Sequence, residues 1–178
     1  VMERKNTIVS KLRKSLELVL KNSKVTVINK FAQITDKNTI IADNETYECK
    51  KIICATGSAP KTFKGMEFDH EKVLSSDDIL NLTELPNSLV IVGSGAIGIE
   101  WARIMAAFDV NVTVVETAEN LLPVADIEIS KRIERIFKSK KIKFHKGCSV
   151  NNIEHEENCI VHLSNGETLD AEKVLVAV

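Results

Sequence analysis

Three glycines, Gly93, Gly95 and Gly98, carry the clearest chemistry in the chain. They follow the apolar run Leu89-Val90-Ile91-Val92 and open a stretch with helical periodicity. That setting suits a diphosphate. Gly93 permits a tight turn, Gly95 lets the backbone approach a pyrophosphate, and Gly98 lets helix and strand pack closely. The helix start adds unpaired N–H groups and the positive end of a dipole. Ser94, Ala96, Ile97 and Ile99 fill the positions between and after the glycines. Glu100 falls in the first turns of the same helix, as a solvated partner of the dipole or as a group near the ribose or nicotinamide. Glu116 ends the next apolar strand, where a carboxylate accepts from adenine-ribose hydroxyls and repels a 2′-phosphate. The expected ligand is therefore NAD rather than NADP.

Other reactive side chains form no set. Cys49, Cys54, Cys148 and Cys159 show no zinc spacing, and His70, His145, His155 and His162 are scattered, so no metal site is expected. Cys49 and Cys54 have the spacing of a redox pair. On one expected strand, five residues apart, they face opposite ways at about 16 Å, beyond disulfide reach. No nucleophile–His–acid arrangement is visible.

Composition bounds the rest. A chain of 178 residues with net charge −1 and 44% hydrophobic residues can form one large domain or one and a part. Near-zero charge argues against a dedicated nucleic-acid binder, and no apolar run reaches the length of a membrane span. Residues 1–30 hold eight Lys/Arg against Glu3 and Glu17. Ile8, Val9, Leu12, Leu16, Val19 and Leu20 recur at helical spacing, so the basic residues read as the solvated face of an amphipathic helix.

The elements that must position the glycines follow from periodicity. Val25–Asn29, Asn38–Ala42 and Tyr47–Ala55 read as strands, and Ser76 opens a short helix through Leu82. Leu89–Val92 and Val110–Glu116 are strands flanking a helix from Gly95 to Phe108. Asp126 caps a helix to Lys140 whose buried face is Ile129, Ile133, Ile136 and Phe137, supported by Glu128–Arg132 and Glu134–Lys138 pairs. Lys143–Lys146, Val150–His155, Cys159–Ser164 and Lys173–Val178 are strand-like, with a turn at Asn165-Gly166. The expected class is α/β, a Rossmann-like doubly wound parallel sheet with helices on both faces and a three-stranded antiparallel meander.

An internal repeat strengthens this. Residues Glu45 to Thr56 align with Glu167 to Val178 through matching acidic and apolar positions, and the preceding hairpins match loosely. The chain thus reads as a nucleotide-binding unit plus a partial second copy at the N-terminal end.

Leu89 to Glu100, Val112-Thr113-Val114-Val115-Glu116 and Ile53-Cys54-Ala55-Thr56-Gly57-Ser58 resemble the flavin-dependent pyridine nucleotide-disulfide oxidoreductases. Asn120-Leu121-Leu122-Pro123 and Asp126 fit the same pattern. The resemblance implies that residues 1–84 are the last part of an FAD domain with its crossover segment, and 85–178 an NAD domain. It implies that Gly93, Ser94, Gly95, Ala96, Ile97, Gly98, Ile99 and Glu100 cradle NAD, with Glu116 on the ribose and Val150 beside the adenine. Thr56, Gly57 and Ser58 match a loop that touches FAD, and Ala32 takes the place of a small residue against the flavin's adenine. The family's redox cysteine segment, flavin fingerprint and His–Glu pair have no counterpart in the chain, so no catalytic residue is assigned. The chain is expected to be inactive alone and not to retain FAD. The implied parent reaction is oxidation of protein-bound dihydrolipoamide by NAD through a disulfide and FAD. The implied setting is a homodimer serving 2-oxo acid dehydrogenase complexes through lipoyl domains, in a bacterial cytoplasm or alternatively a mitochondrial matrix, without nucleic acid or membrane. An NADH oxidase, a glutathione-type reductase and a non-catalytic NAD-sensing module remain open alternatives.

Overall fold

The chain divides into two units, Val1–Ser58 and Ala59–Val178, and the computed structural model describes residues 1–178 throughout. These compact units divide the chain at 58/59, within the segment that the sequence assigns to the first part of the chain. Strand β4 below pairs with the last strand of the chain, which places it in the second unit.

In the first unit, helix α1 (Met2–Asn22) buries none of its residues. Its apolar stripe, including Leu12 and Leu16, is exposed. Strands β1 (Ala32–Asp36), β2 (Thr39–Ala42) and β3 (Glu45–Glu48) form an antiparallel meander. Asp43 and Asn44 both take positive φ in the tight turn between β2 and β3, a conformation their short polar side chains tolerate. One expected strand does not form and another is cut short. Val25–Asn29 has no ladder partner, and of Tyr47–Ala55 only Tyr47 and Glu48 join β3, while residues 50–58 pair with no strand; Val27 and Ile53 stay exposed. A strand is completed by its neighbours' hydrogen bonds, and apolar patterning cannot replace them. Cys49 and Cys54 accordingly lie off any strand, as free thiols.

The second unit is an α/β layer structure. Its elements are β4 (Val73–Leu74), α2 (Ser76–Ile79), β5 (Ser88–Val92), α3 (Ala96–Ala107), β6 (Asn111–Glu116), α4 (Ile127–Ser139), β7 (Lys143–Lys146), β8 (Val150–His155), β9 (Cys159–Leu163), β10 (Thr168–Ala171) and β11 (Lys173–Val176). Five parallel strands lie in the order β4-β11-β5-β6-β7. In β5, Leu89, Val90, Ile91 and Val92 are all buried, as an inner parallel strand requires. Each such side chain contributes about 1.5–3 kcal/mol by leaving water.

Alternate residues of these strands serve two cores. Leu89, Ile91, Val112, Val114 and Leu175 pack against Ile79 of α2, Ala102 and Met105 of α3 and Phe137 of α4. Val90, Val92, Val115, Val174 and Val176 pack against Val150, Ile153, Val161 and Ala171 of the β8-β9-β10 meander. The second face is thus covered by the meander, where helices were expected. The expected strand Lys173–Val178 forms as β11 over Lys173–Val176, and the structure adds β10 just before it, separated at Glu172.

Helix α4 turns a different face inward from the one expected. Phe137 and Ser130 are buried and Ile133 is partly so, while Ile129 and Ile136 are half-exposed. Ser130 Oγ–H donates to the Leu121 carbonyl at 2.6 Å, which satisfies it in the core. Glu134 pairs with Lys138 as expected, but Glu128 pairs with Lys131. Helix α2 is shorter than expected and is set by a reciprocal cap between Ser75 and Asp78. No helix is long and apolar enough to cross a membrane.

Candidate functional site

The glycine loop connects the end of β5 to the start of α3. Gly93 has φ +98°, and a Cβ there would sit 2.6 Å from the Ala177 carbonyl oxygen, so the turn admits only glycine. At Gly98 a Cβ would drive into the Gly93 carbonyl oxygen, which is the close helix–strand packing the sequence implies. Gly95 differs from both. It has ordinary φ, and nothing lies within 4 Å of where its Cβ would be. It stands at the N-cap of α3 with no side chain capping the helix. The first N–H groups of α3 therefore lack the usual side-chain acceptor and offer the positive end of the dipole.

Two clefts meet at this loop. One, of about 290 Å³, is lined by Gly93, Ser94, Gly95, Glu116, Cys148 and Val150 among others. The second, of about 320 Å³, is lined by Pro60, Lys61, Ser76, Gly95, Ala96 and Ile97. Gly95, Ala177 and Val178 are common to both.

Glu116 is the charged group of the first cleft. It is only 7% exposed, and its carboxylate accepts four hydrogen bonds. Oε2 accepts from Ser94 N–H at 2.8 Å and from Ser94 Oγ–H at 2.6 Å. Oε1 accepts from Thr117 Oγ1–H at 3.1 Å and from Ala118 N–H at 2.8 Å. Burial by itself pushes this carboxyl up, but the donors, led by the Ser94 hydroxyl, outweigh it and hold it below its usual value. Glu116 is thus a fixed anion in the cleft wall. The thiol of Cys148 is pushed up by burial and then by Glu167, so it stays neutral.

The structure sorts the expected site residues. Gly93, Ser94, Gly95, Glu116 and Val150 share the first cleft, and Ala96 and Ile97 face the second. Gly98 and Ile99 are buried beneath the loop. Glu100 is exposed on α3 and lines neither cleft. Ala32, Thr56, Gly57 and Ser58 belong to the first unit, are all exposed, and line neither cleft. The fit to NAD is therefore good: an open bed at Gly95, uncapped N–H groups and a nearby acid. Neither cleft is lined by residues of the first unit, and Ala32, Thr56, Gly57 and Ser58 form no comparable bed for FAD. Sequence reasoning missed Cys148, Lys61 and Ser76. The first two reach the clefts from distant segments and no local pattern marks them. Ser76 carries only a helix-start signal.

A family model described as pyridine nucleotide-disulphide oxidoreductase matches residues 2–178. A dihydrolipoyl dehydrogenase of Bacillus subtilis (strain 168) is 36% identical over 100% of this chain and 42% of its own length. A soluble pyridine nucleotide transhydrogenase of Mycobacterium bovis (strain BCG / Pasteur 1173P2) is 34% identical over 88% of the chain and 35% of its own length. The crystal structure of LpdA from Mycobacterium tuberculosis superposes with a TM-score of 0.91 at 23% identity, over 99% of this chain and 41% of that one, and so shares the fold. The chain spans about two-fifths of the length of the relatives it matches.

Proposed function

The chain belongs to the pyridine nucleotide-disulphide oxidoreductase family, and from that premise we propose that its second unit is an NAD(H) site in an enzyme of the dihydrolipoyl dehydrogenase kind. One observation carries the reading: the open backbone at Gly95 and the ionised Glu116 line the same cleft. The N–H groups at the start of α3 receive the diphosphate. Glu116 and Val150 take the adenosine side, and the second cleft, with Ala96 and Ile97, takes the other half of a dinucleotide lying across Gly95. Bound NAD supplies a hydride acceptor. The chain's own part is to bind it, orient it and refuse a 2′-phosphate.

In the whole enzyme this reading makes residues 85–178 the NAD domain and 1–84 the tail of an FAD domain. Its reaction is oxidation of protein-bound dihydrolipoamide, its assembly a homodimer working with lipoyl domains of 2-oxo acid dehydrogenase complexes, and its compartment a bacterial cytoplasm. The support is the relatives of that name at 36% and 33% identity. A second reading, hydride exchange between the two pyridine nucleotides, is favoured by the 34% identical relatives named as transhydrogenases. That reading needs NADP to be accepted as well as NAD, which the fixed charge of Glu116 opposes.

Titration of the purified chain with NADH and with NADPH, read by coenzyme fluorescence and checked by calorimetry, tests both. Saturable NADH binding that ADP-ribose displaces, with weaker NADPH binding, is expected. Equal affinity would favour the transhydrogenase reading, and no binding up to millimolar coenzyme would overturn the site.

A further inference from the structure

Glu116 does not select a coenzyme unaided. Ser94 lies between the first two glycines of the loop, is fully buried, and gives both its N–H and its hydroxyl to one oxygen of that carboxylate. The turn itself does not demand serine there. The positive φ belongs to Gly93 and the close approach to Gly98.

The direction of the Ser94 hydroxyl is determined from its other side. Leu122 N–H donates to the Ser94 carbonyl at 3.1 Å and to Ser94 Oγ at 3.3 Å. With a lone pair of Oγ engaged by Leu122, its proton goes to Glu116 Oε2 at 2.6 Å. The segment after β6 is thereby latched to the glycine loop through the same residue that pins the acid. The other carboxylate oxygen is held by Thr117 and Ala118.

A carboxylate has about four lone-pair sites. Here the chain itself supplies a donor to each. The group therefore cannot swing away from an incoming anion. A ribose diol can share or displace one of these bonds, because it brings donors of its own. A 2′-phosphate brings only charge and acceptors, and meets an anion that has nowhere to turn.

We propose that Ser94 is a positioning residue for coenzyme choice: its amide and hydroxyl lock the Glu116 carboxylate into the cleft wall, and this lock excludes a 2′-phosphorylated ribose. The inference rests on the reading of the cleft as an NAD site.

The test is a double-mutant cycle on the full chain with Ser94→Ala, Glu116→Gln and the double variant. Dissociation constants for NADH and NADPH are measured for each, with thermal unfolding to confirm that each is folded. The parent is expected to prefer NADH. Ser94→Ala and Glu116→Gln should each reduce that preference about tenfold or more, since charge-assisted bonds are among the stronger ones. The double variant should lose no more than Glu116→Gln alone, because without the charge there is nothing left for Ser94 to position. Should Ser94→Ala not fold, Ser94→Cys, a weaker donor, should give an intermediate loss. Parental preference in Ser94→Ala, or additive losses in the double variant, would overturn the role of Ser94 while leaving the site standing. A parent chain without NADH binding would overturn the site and this inference with it, whereas a parent that binds NADH and NADPH equally would overturn this inference alone and favour the transhydrogenase reading.

Discussion

Consider Gly95→Ala, which adds one methyl group to the loop. Gly95 has φ −64°, and the new Cβ would meet no atom within 4 Å, so the fold has no steric reason to object. Less freedom in the unfolded chain favours alanine by about 0.4–1 kcal/mol, and its poorer N-cap preference offsets this by a few tenths or more. Net stability should stay within about 1 kcal/mol of the parent. The methyl would, however, stand on the bed where the backbone must approach a diphosphate. Losing one charge-assisted contact of about 1.5–3 kcal/mol weakens binding about 10- to 100-fold. Gly98→Ala is the opposite control. Its Cβ would press on the Gly93 carbonyl and lie 3.3 Å from Ile91 Cγ2, so backbone must move. Overpacking of that kind costs about 1–3 kcal/mol, or a fall of about 2–12 °C in Tm for a chain of this size. Circular dichroism melts and NADH titrations on both variants read the two effects separately. A Gly95→Ala chain that binds NADH like the parent, or that melts as early as Gly98→Ala, would refute the reasoning.

Further outcomes follow from the same contacts. Burial opposes ionisation of Glu116, Asp69 and Asp78, but hydrogen-bond donors prevail and hold each below its usual value. Such groups add stability above the unfolded pKa that is lost as pH falls through the folded one. Denaturant midpoints should therefore decline on acidification below about pH 4, and a Glu116→Gln chain showing the same acid limb as the parent would contradict this. Ile91 is fully buried in β5, the middle strand of the parallel sheet, so Ile91→Ala should cost about 2–5 kcal/mol in a urea melt. Ser75 Oγ accepts from Asp78 N–H at 3.2 Å and donates to its carboxylate at 2.5 Å, so Ser75→Ala should cost about 0.5–2 kcal/mol; an unchanged melt would show that the cap carries no weight. The purified chain should not reduce NAD with dihydrolipoamide, since all four of its cysteines are free and none faces a disulfide partner. Measurable NADH formation would show otherwise.

The repeat in the chain shows where sequence reading succeeds and where it stops. Glu45–Glu48 aligns in sequence with Glu167–Asp170, and the strands formed there, Glu45–Glu48 and Thr168–Ala171, are each the last strand of an antiparallel meander. Their hairpin turns and cross-strand partners are near in sequence, so the local signal suffices. The continuation of each copy has the same apolar pattern but a different fate. Leu175 lies in β11, between β4 and β5, and is fully buried. Ile53, its counterpart, is 89% exposed on a segment with no neighbouring strand. The pattern was alike, and the flanking strands decided the outcome.

At the nucleotide cleft the division is similar. By itself the sequence determined the strand–glycine–helix turn, the spacing of Gly93, Gly95 and Gly98, and an acid at the end of the following strand, because backbone sterics and helix geometry act over a few residues. Only the tertiary structure decided that β11 inserts beside β5, that a meander covers the second face, that Glu100 lies outside the lining of the clefts, and that Ser94, Thr117 and Ala118 saturate the carboxylate of Glu116. Those facts depend on which distant segments close on one another. Hydrogen-bond direction and burial arise from that closure, and no local run of residues encodes them.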